Sequence, residues 1–156
     1  MRGARRPAAA APSGYSGTPL AKKLGIGAGC RLHLRGAPAS YGALVAPLPA
    51  GVRIVPRIDA GTDLIHIFAT RRAQLERALR ASLAGMRADA TLWVSWPKKS
   101  SGLASELTED TVRKLSLPLG LVDVKVCAVD ETWSGLKLVV RKAARADWPW
   151  RPGRPP

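Results

Sequence analysis

Asparagine is absent from the 156 residues, histidine and cysteine occur twice each, and phenylalanine once. Acidic side chains number 11 against 25 lysines and arginines, leaving a net charge of +14. Each shortage closes off a class of protein. Cys30 and Cys127 lie far apart and do not make the disulfide framework of a small secreted domain. Each falls in an expected strand, where a buried, inert thiol is the usual outcome. With His33 and His66 they form no metal-ligand spacing. No apolar run reaches the ~18 residues of a membrane span. The alanines at 8–11 are too short and too weakly apolar a run for a secretion signal, and Pro7 and Pro12 interrupt them. The expected setting is cytoplasmic, without membrane contact. No G-x-x-x-x-G-K-[ST] pattern occurs, which disfavours nucleotide hydrolysis. No Ser-His-Asp or Cys-His set emerges from the spacing, so no catalytic residue is named and enzymatic activity is left open.

What is present suits one α/β domain. Residues 1–14 are Ala, Pro, Gly and Arg without apolar period, the composition of a disordered basic arm. The ordered domain is expected over 15–142, with a disordered basic Pro/Trp tail over 143–156. Residues 1–14 and 141–156 together carry half of the excess charge. Flexible basic arms attract nucleic acid, anionic lipid or acidic protein without choosing among them.

Within the domain, Thr18 is expected to cap a short helix with Pro19 at its first position and Gly25 as its left-handed stop. Cys30–Gly36 reads as a strand with one polar face, carrying Arg31, His33 and Arg35. One helical turn is expected around Tyr41–Ala46. Val52–Ile58 is a second strand, pushed to an edge or bulge by Pro56. Asp63–Ala69 is a buried strand, followed by a helix over Arg71–Met86 with Thr70 as its cap. Its buried stripe is Leu75, Ala78, Leu79, Ser82, Leu83 and Met86. Thr91–Pro97 is the next strand, with Trp93 and Trp96 in opposite phases, so both sheet faces are covered there. Thr108 caps a helix carrying Glu109 and Asp110 in its first turn, where the dipole favours acids. Val122–Val129 and Leu136–Arg141 form an antiparallel hairpin joined by Asp130–Gly135. The pattern is a Rossmann-like, three-layer α/β domain: a mostly parallel sheet closed by a C-terminal antiparallel hairpin.

The order strand, helix, strand, helix, long hairpin resembles the second half of a class I S-adenosylmethionine-dependent methyltransferase, whose later strands read much like DLIHIFAT and TLWVSWP. A more extensive likeness rests on GYSGTPLAKKLG at 14–25, LWVSWPKKSSG at 92–102 and PLGLVDVKVCAVDETWSGLKLVVRK at 118–142. These segments resemble the short bacterial proteins of domain-of-unknown-function family 3052. That resemblance implies a Rossmann-like domain and no particular activity. The methyltransferase resemblance implies S-adenosylmethionine as cofactor, a Gly-x-Gly-type turn after the first strand and an acidic residue at the end of the second. Here the turn reads Leu34-Arg35-Gly36-Ala37-Pro38-Ala39-Ser40-Tyr41, with a single glycine, and Asp59 is the only acidic candidate.

Parallel α/β sheets bind ligands at the carboxyl ends of their strands, which places the candidate pocket near Ala69, Thr70 and the 96–102 loop. Lys98, Lys99, Ser100 and Ser101 offer two ammonium groups and two hydroxyls to a phosphate or carboxylate. Asp130, Glu131 and Trp133 offer a general base or an aromatic wall. Ser16 and Thr18, beside Lys22 and Lys23, are a further candidate for an anion at a helix start. Solvated loops, a tryptophan packed on the sheet and plain capping are the structural alternatives for these three groups. His66, between Ile65 and Ile67, reads as a buried, hydrogen-bonded residue. The leading function is a binding module for a small anionic ligand or a protein. The alternatives are a small or degenerate methyltransferase and nonspecific nucleic-acid binding through the basic termini.

Overall fold

The computed structural model describes residues 17–146 and Trp148. In chain order its elements are α1 (Leu20–Leu24), β1 (Arg31–Arg35), α2 (Tyr41–Val45), β2 (Arg53–Ile54), β3 (Leu64–Phe68), α3 (Arg72–Gly85) and β4 (Thr91–Pro97). A 3-10 turn at Lys99–Ser101, α4 (Glu109–Ser116), a second 3-10 turn at Leu117–Leu119, β5 (Leu121–Ala128), β6 (Trp133–Val140) and α5 (Lys142–Arg145) complete it. The strands form one sheet in the order β2-β1-β3-β4-β6-β5. The first four are parallel, with Leu64 opposite Thr91 and Phe68 opposite Ser95. The β5–β6 hairpin then pairs antiparallel with β4, setting Trp96 opposite Ser134.

Alternation along the strands divides the core in two. Ile65, Ile67, Leu92, Val94, Trp96, Leu136 and Leu138 pack against the α3 stripe, Val112 of α4 and Ala144 of α5. Leu32, Leu64, Phe68 and Trp93 face Leu20, Leu24, Tyr41 and Val45 of α1 and α2. Trp93 and Trp96 therefore do fall on opposite faces, and Trp93 spends its indole N–H on the Leu24 carbonyl at 2.9 Å. All six residues of the expected α3 stripe are buried. Thr108 caps α4 through the Thr111 N–H, and Gly25 ends α1 in the left-handed conformation.

Several elements differ from the sequence reading. The second strand shrinks to Arg53–Ile54. Its last ladder bond runs from the Val55 N–H to the Leu32 carbonyl, and Pro56 has no N–H with which to continue. Val55 is buried and Ile54 exposed. His33 is not on a polar face: it is buried, with Nδ1 3.0 Å from the Val55 carbonyl. Neither Thr18 nor Thr70 occupies the N-cap position of its helix. Pro19 takes that position in α1, and the cap of α3 falls one residue late, on Arg71. The hairpin loop is shorter than Asp130–Gly135, because Trp133, Ser134 and Gly135 pair with β4. Packing also continues past residue 142. Ala144 is buried, and the half-buried Trp148 donates its indole N–H to the Met86 carbonyl at 2.7 Å. The arm at 1–14, Ser16 and the chain beyond 148 lie outside the described residues. Among the described residues, no helix is long and apolar enough to cross a membrane.

Candidate functional site

The chain leaves β1 through α2 toward β2 on one side, and leaves β3 through α3 toward β4 on the other. Because α2 and α3 pack on opposite faces, the strand ends diverge between β1 and β3. Such a reversal is where open α/β sheets accept ligands. A cleft of about 160 Å³ sits there, lined by Arg35, Gly36, Ile67, Phe68, Gln74, Arg77 and Ala78. It holds two guanidinium groups and no carboxylate. Gly36 closes one wall. Its φ is +72°, and a Cβ on it would lie 2.6 Å from the Phe68 carbonyl oxygen. The single glycine of the turn thus serves close approach of the chain to its own β3.

The turn after β3 is clasped by a distant segment. The Thr70 carbonyl accepts from the Glu106 N–H at 2.8 Å and the Ser105 hydroxyl at 3.3 Å. The Glu106 carboxylate in turn accepts the Arg72 N–H at 2.8 Å. A helix start attracts anions through its unpaired N–H groups, and at α3 the protein supplies that anion itself. Glu106 was not among the sequence candidates, since nothing local marks a cap that comes from 34 residues away.

The lysine loop and the hairpin tip meet, as the Lys98 N–H donates to the Thr132 carbonyl at 2.8 Å. The Ser101 hydroxyl is used locally, donating to the Lys98 carbonyl and accepting the Leu103 N–H. Lys99 and Ser100 are exposed and Lys98 is half-buried. Asp130 accepts the N–H groups of Thr132 and Trp133, each at 2.8 Å, on one carboxylate oxygen. This is the bonding of an Asx turn. Glu131 is exposed at the tip. Trp133 sets its ring edge-on to Phe68, centroids 5.1 Å apart. Lys98 and Trp133 thus border the same strand ends, while Thr18 belongs to the start of α1. None of the eight candidates among the described residues lines the cleft at Gly36.

Between β1 and β4 the sheet buries a polar chain. Tyr41 Oη lies 3.0 Å from His66 Nδ1, and His66 Nε2 lies 2.7 Å from Ser95 Oγ. A serine–imidazole contact of that length is the geometry of an activated nucleophile. Here it is sealed, with His66 and Ser95 fully buried and Tyr41 nearly so. Burial lowers the imidazole pKa to about 3, and it raises the Tyr41 phenol above its ordinary value. The three residues act as a neutral strut tying α2 to β3 and β4. The sequence reading of His66 as buried and hydrogen-bonded agrees; its partners depend on strand register.

No family model and no curated protein matches the chain. Among solved structures it is similar to an S-adenosylmethionine-dependent methyltransferase from Aquifex aeolicus. The two are 14% identical over 78% of this chain and 87% of that one, with a TM-score of 0.54. A putative type 11 methyltransferase from Sulfolobus solfataricus is 11% identical over 79% of this chain and 90% of that one, again at 0.54. A variant of LepI, in complex with SAH and a substrate analogue, is 12% identical over 80% of this chain and 47% of that one, at 0.51. The likeness is one of fold. The chain is a Rossmann-like α/β domain.

The described residues do not fit S-adenosylmethionine as they stand. The switch-point cleft is smaller than the about 300–1,000 Å³ usual for ligand pockets. Gly36 approaches Phe68 where a ligand backbone contact would be wanted. Asp59, the acid expected beside a ribose, lies at the other end of the sheet. Its carboxylate accepts the Gly61 N–H, in the turn that precedes the start of β3. The reason is topological: β2 ends level with Leu32 and the chain doubles back.

Proposed function

We propose that this chain is a degenerate member of the S-adenosylmethionine-dependent methyltransferase fold, acting as a binding module for a small anionic group rather than as a methyl-transfer enzyme. The observation that carries the reading is the cleft at Gly36. Its two arginines and lack of carboxylate favour an anion, and its volume suits a phosphate or carboxylate rather than an adenosyl group. Lys98 and Lys99 add positive potential along the same strand ends. The three sequence segments that resemble domain-of-unknown-function family 3052 are the sole motive for placing the chain there, since no family model matches it, and a cytoplasmic setting goes with this reading.

Calorimetric titration of the full chain with S-adenosylmethionine and its demethylated product tests the proposal. No saturable heat is expected at millimolar concentration. Inorganic phosphate is expected to shift the Gly36 amide and the Arg35 and Arg77 side-chain N–H signals in NMR spectra, and Arg77→Gln should remove that response. Saturable binding of S-adenosylmethionine, or methyl transfer to any acceptor, would overturn the degenerate reading and restore an active methyltransferase.

A further inference from the structure

At the opposite end of the sheet from the Gly36 cleft, arginines gather around the edge strand β2 in excess of the acids beside them. Arg31 and Arg53 are register partners on adjacent parallel strands. Like charges set opposite one another in a ladder are destabilising. Arg57 joins them in an open cleft of about 590 Å³, whose single acid is Asp59. Arg53 and Arg57 make no ion pair among the described residues. The Asp63 carboxylate accepts the backbone N–H of Arg31 at 2.8 Å and pairs with Arg87 at 2.7 Å. The Arg31 Nε is buried without a hydrogen-bond partner. A buried donor left unpaired is costly, and guanidinium forks match phosphate oxygens two at a time. Beside the arginines, Ile54 is 54% exposed on the cleft wall next to Pro56.

We propose that this cleft is a binding site for a phosphorylated small molecule with an apolar or aromatic body, such as a nucleoside diphosphate. Arg31, Arg53 and Arg57 hold the phosphates, and Ile54 with Pro56 supports the body. The volume falls within the about 300–1,000 Å³ typical of ligand sites. The site is independent of the Gly36 cleft and stands whether or not that reading holds.

NMR detection of arginine Nε–H signals in the full chain, at low salt, tests it with inorganic pyrophosphate and adenosine diphosphate. Pyrophosphate should produce a saturable shift of the Arg31 Nε–H. Arg53→Gln, an exposed edge-strand change, should weaken that response about tenfold or more, the loss expected for a charge-assisted hydrogen bond. Arg77→Gln should leave it unchanged. Adenosine diphosphate should bind more tightly than pyrophosphate, and Ile54→Ser should erase only that difference. Absence of a shift at Arg31, a response indifferent to Arg53→Gln, or shifts confined to Lys98, Lys99, Arg35 or Arg77 would overturn the site. Equal affinity for the two probes would overturn the apolar-body assignment.

Discussion

His66 gives this fold a specific weakness toward mild acid. Its imidazole is fully buried between Tyr41 and Ser95, and burial moves its pKa from 6.5 to about 3. Above pH 6.5 the ring is neutral in both folded and unfolded chains, so it contributes no pH dependence. Below that value the unfolded chain takes up a proton that the folded chain refuses, and folding stability falls by about 1.4 kcal/mol per pH unit. The loss continues until the folded ring itself titrates near pH 3. Between about pH 7.5 and pH 5 the cost is about 2 kcal/mol, a sizeable part of the roughly 5–15 kcal/mol typical of a domain. Asp63 does not confuse the interval. The Arg31 N–H, and after it Arg87, hold its carboxyl below the ordinary 3.8, so the stability it adds is lost only at lower pH. Urea unfolding at the two pH values is the assay, comparing the parent with His66→Gln. The variant is expected to be less stable at both pH values but to lose about 2 kcal/mol of the parent's difference between them. The His66 imidazole signals of the folded parent should also stay in the neutral form down to pH 4. A His66 ring that protonates near pH 6 in the folded protein, or a variant with the parent's full pH dependence, would refute the buried-strut account.

Other outcomes follow from the same structure. Gly36→Ala places a Cβ 2.6 Å from the Phe68 carbonyl at a φ of +72°. A loss of about 2–4 kcal/mol in urea unfolding is expected, and a change under ~0.5 kcal/mol would mean the approach is not that close. Glu106→Ala removes the carboxylate from the first turn of α3 and should cost about 1 kcal/mol, with faster amide exchange at Arg72 as its local sign. Trp148→Ala, or a chain stopped after residue 147, should destabilise the domain by about 2 kcal/mol through lost indole packing and the Met86 hydrogen bond. An unaltered melting curve would return the boundary to residue 142. Burial raises the pKa of both Cys30 and Cys127, so neither thiol should react quickly with a disulfide reagent at neutral pH. Rapid labelling of Cys30 in the folded chain would show that its cover opens.

Patterns that repeat locally were legible in the chain itself. The 3.6-residue spacing in α3, the apolar run of β3, the Thr108 cap and the opposed phases of Trp93 and Trp96 each record which side of an element meets the core, and these fixed the α/β class. Contacts made across long sequence distances were not legible. Glu106 capping α3, the Thr70 carbonyl taken by Ser105 and Glu106, and the packing of Trp148 on Met86 leave no periodic trace, because their partners come from other elements. The same holds for the sites. Lys98 and Lys99 stand out by composition, but the switch-point cleft is built by Gly36, Phe68 and Arg77, which become neighbours only when β1 and β3 pair. The early end of β2 likewise brought Arg31, Arg53 and Arg57 together and left Asp59 remote from the strand ends. Periodicity determines which face of an element is buried. Register and chain reversal determine which charges share a cleft, and those depend on pairings between strands that no local stretch of sequence contains.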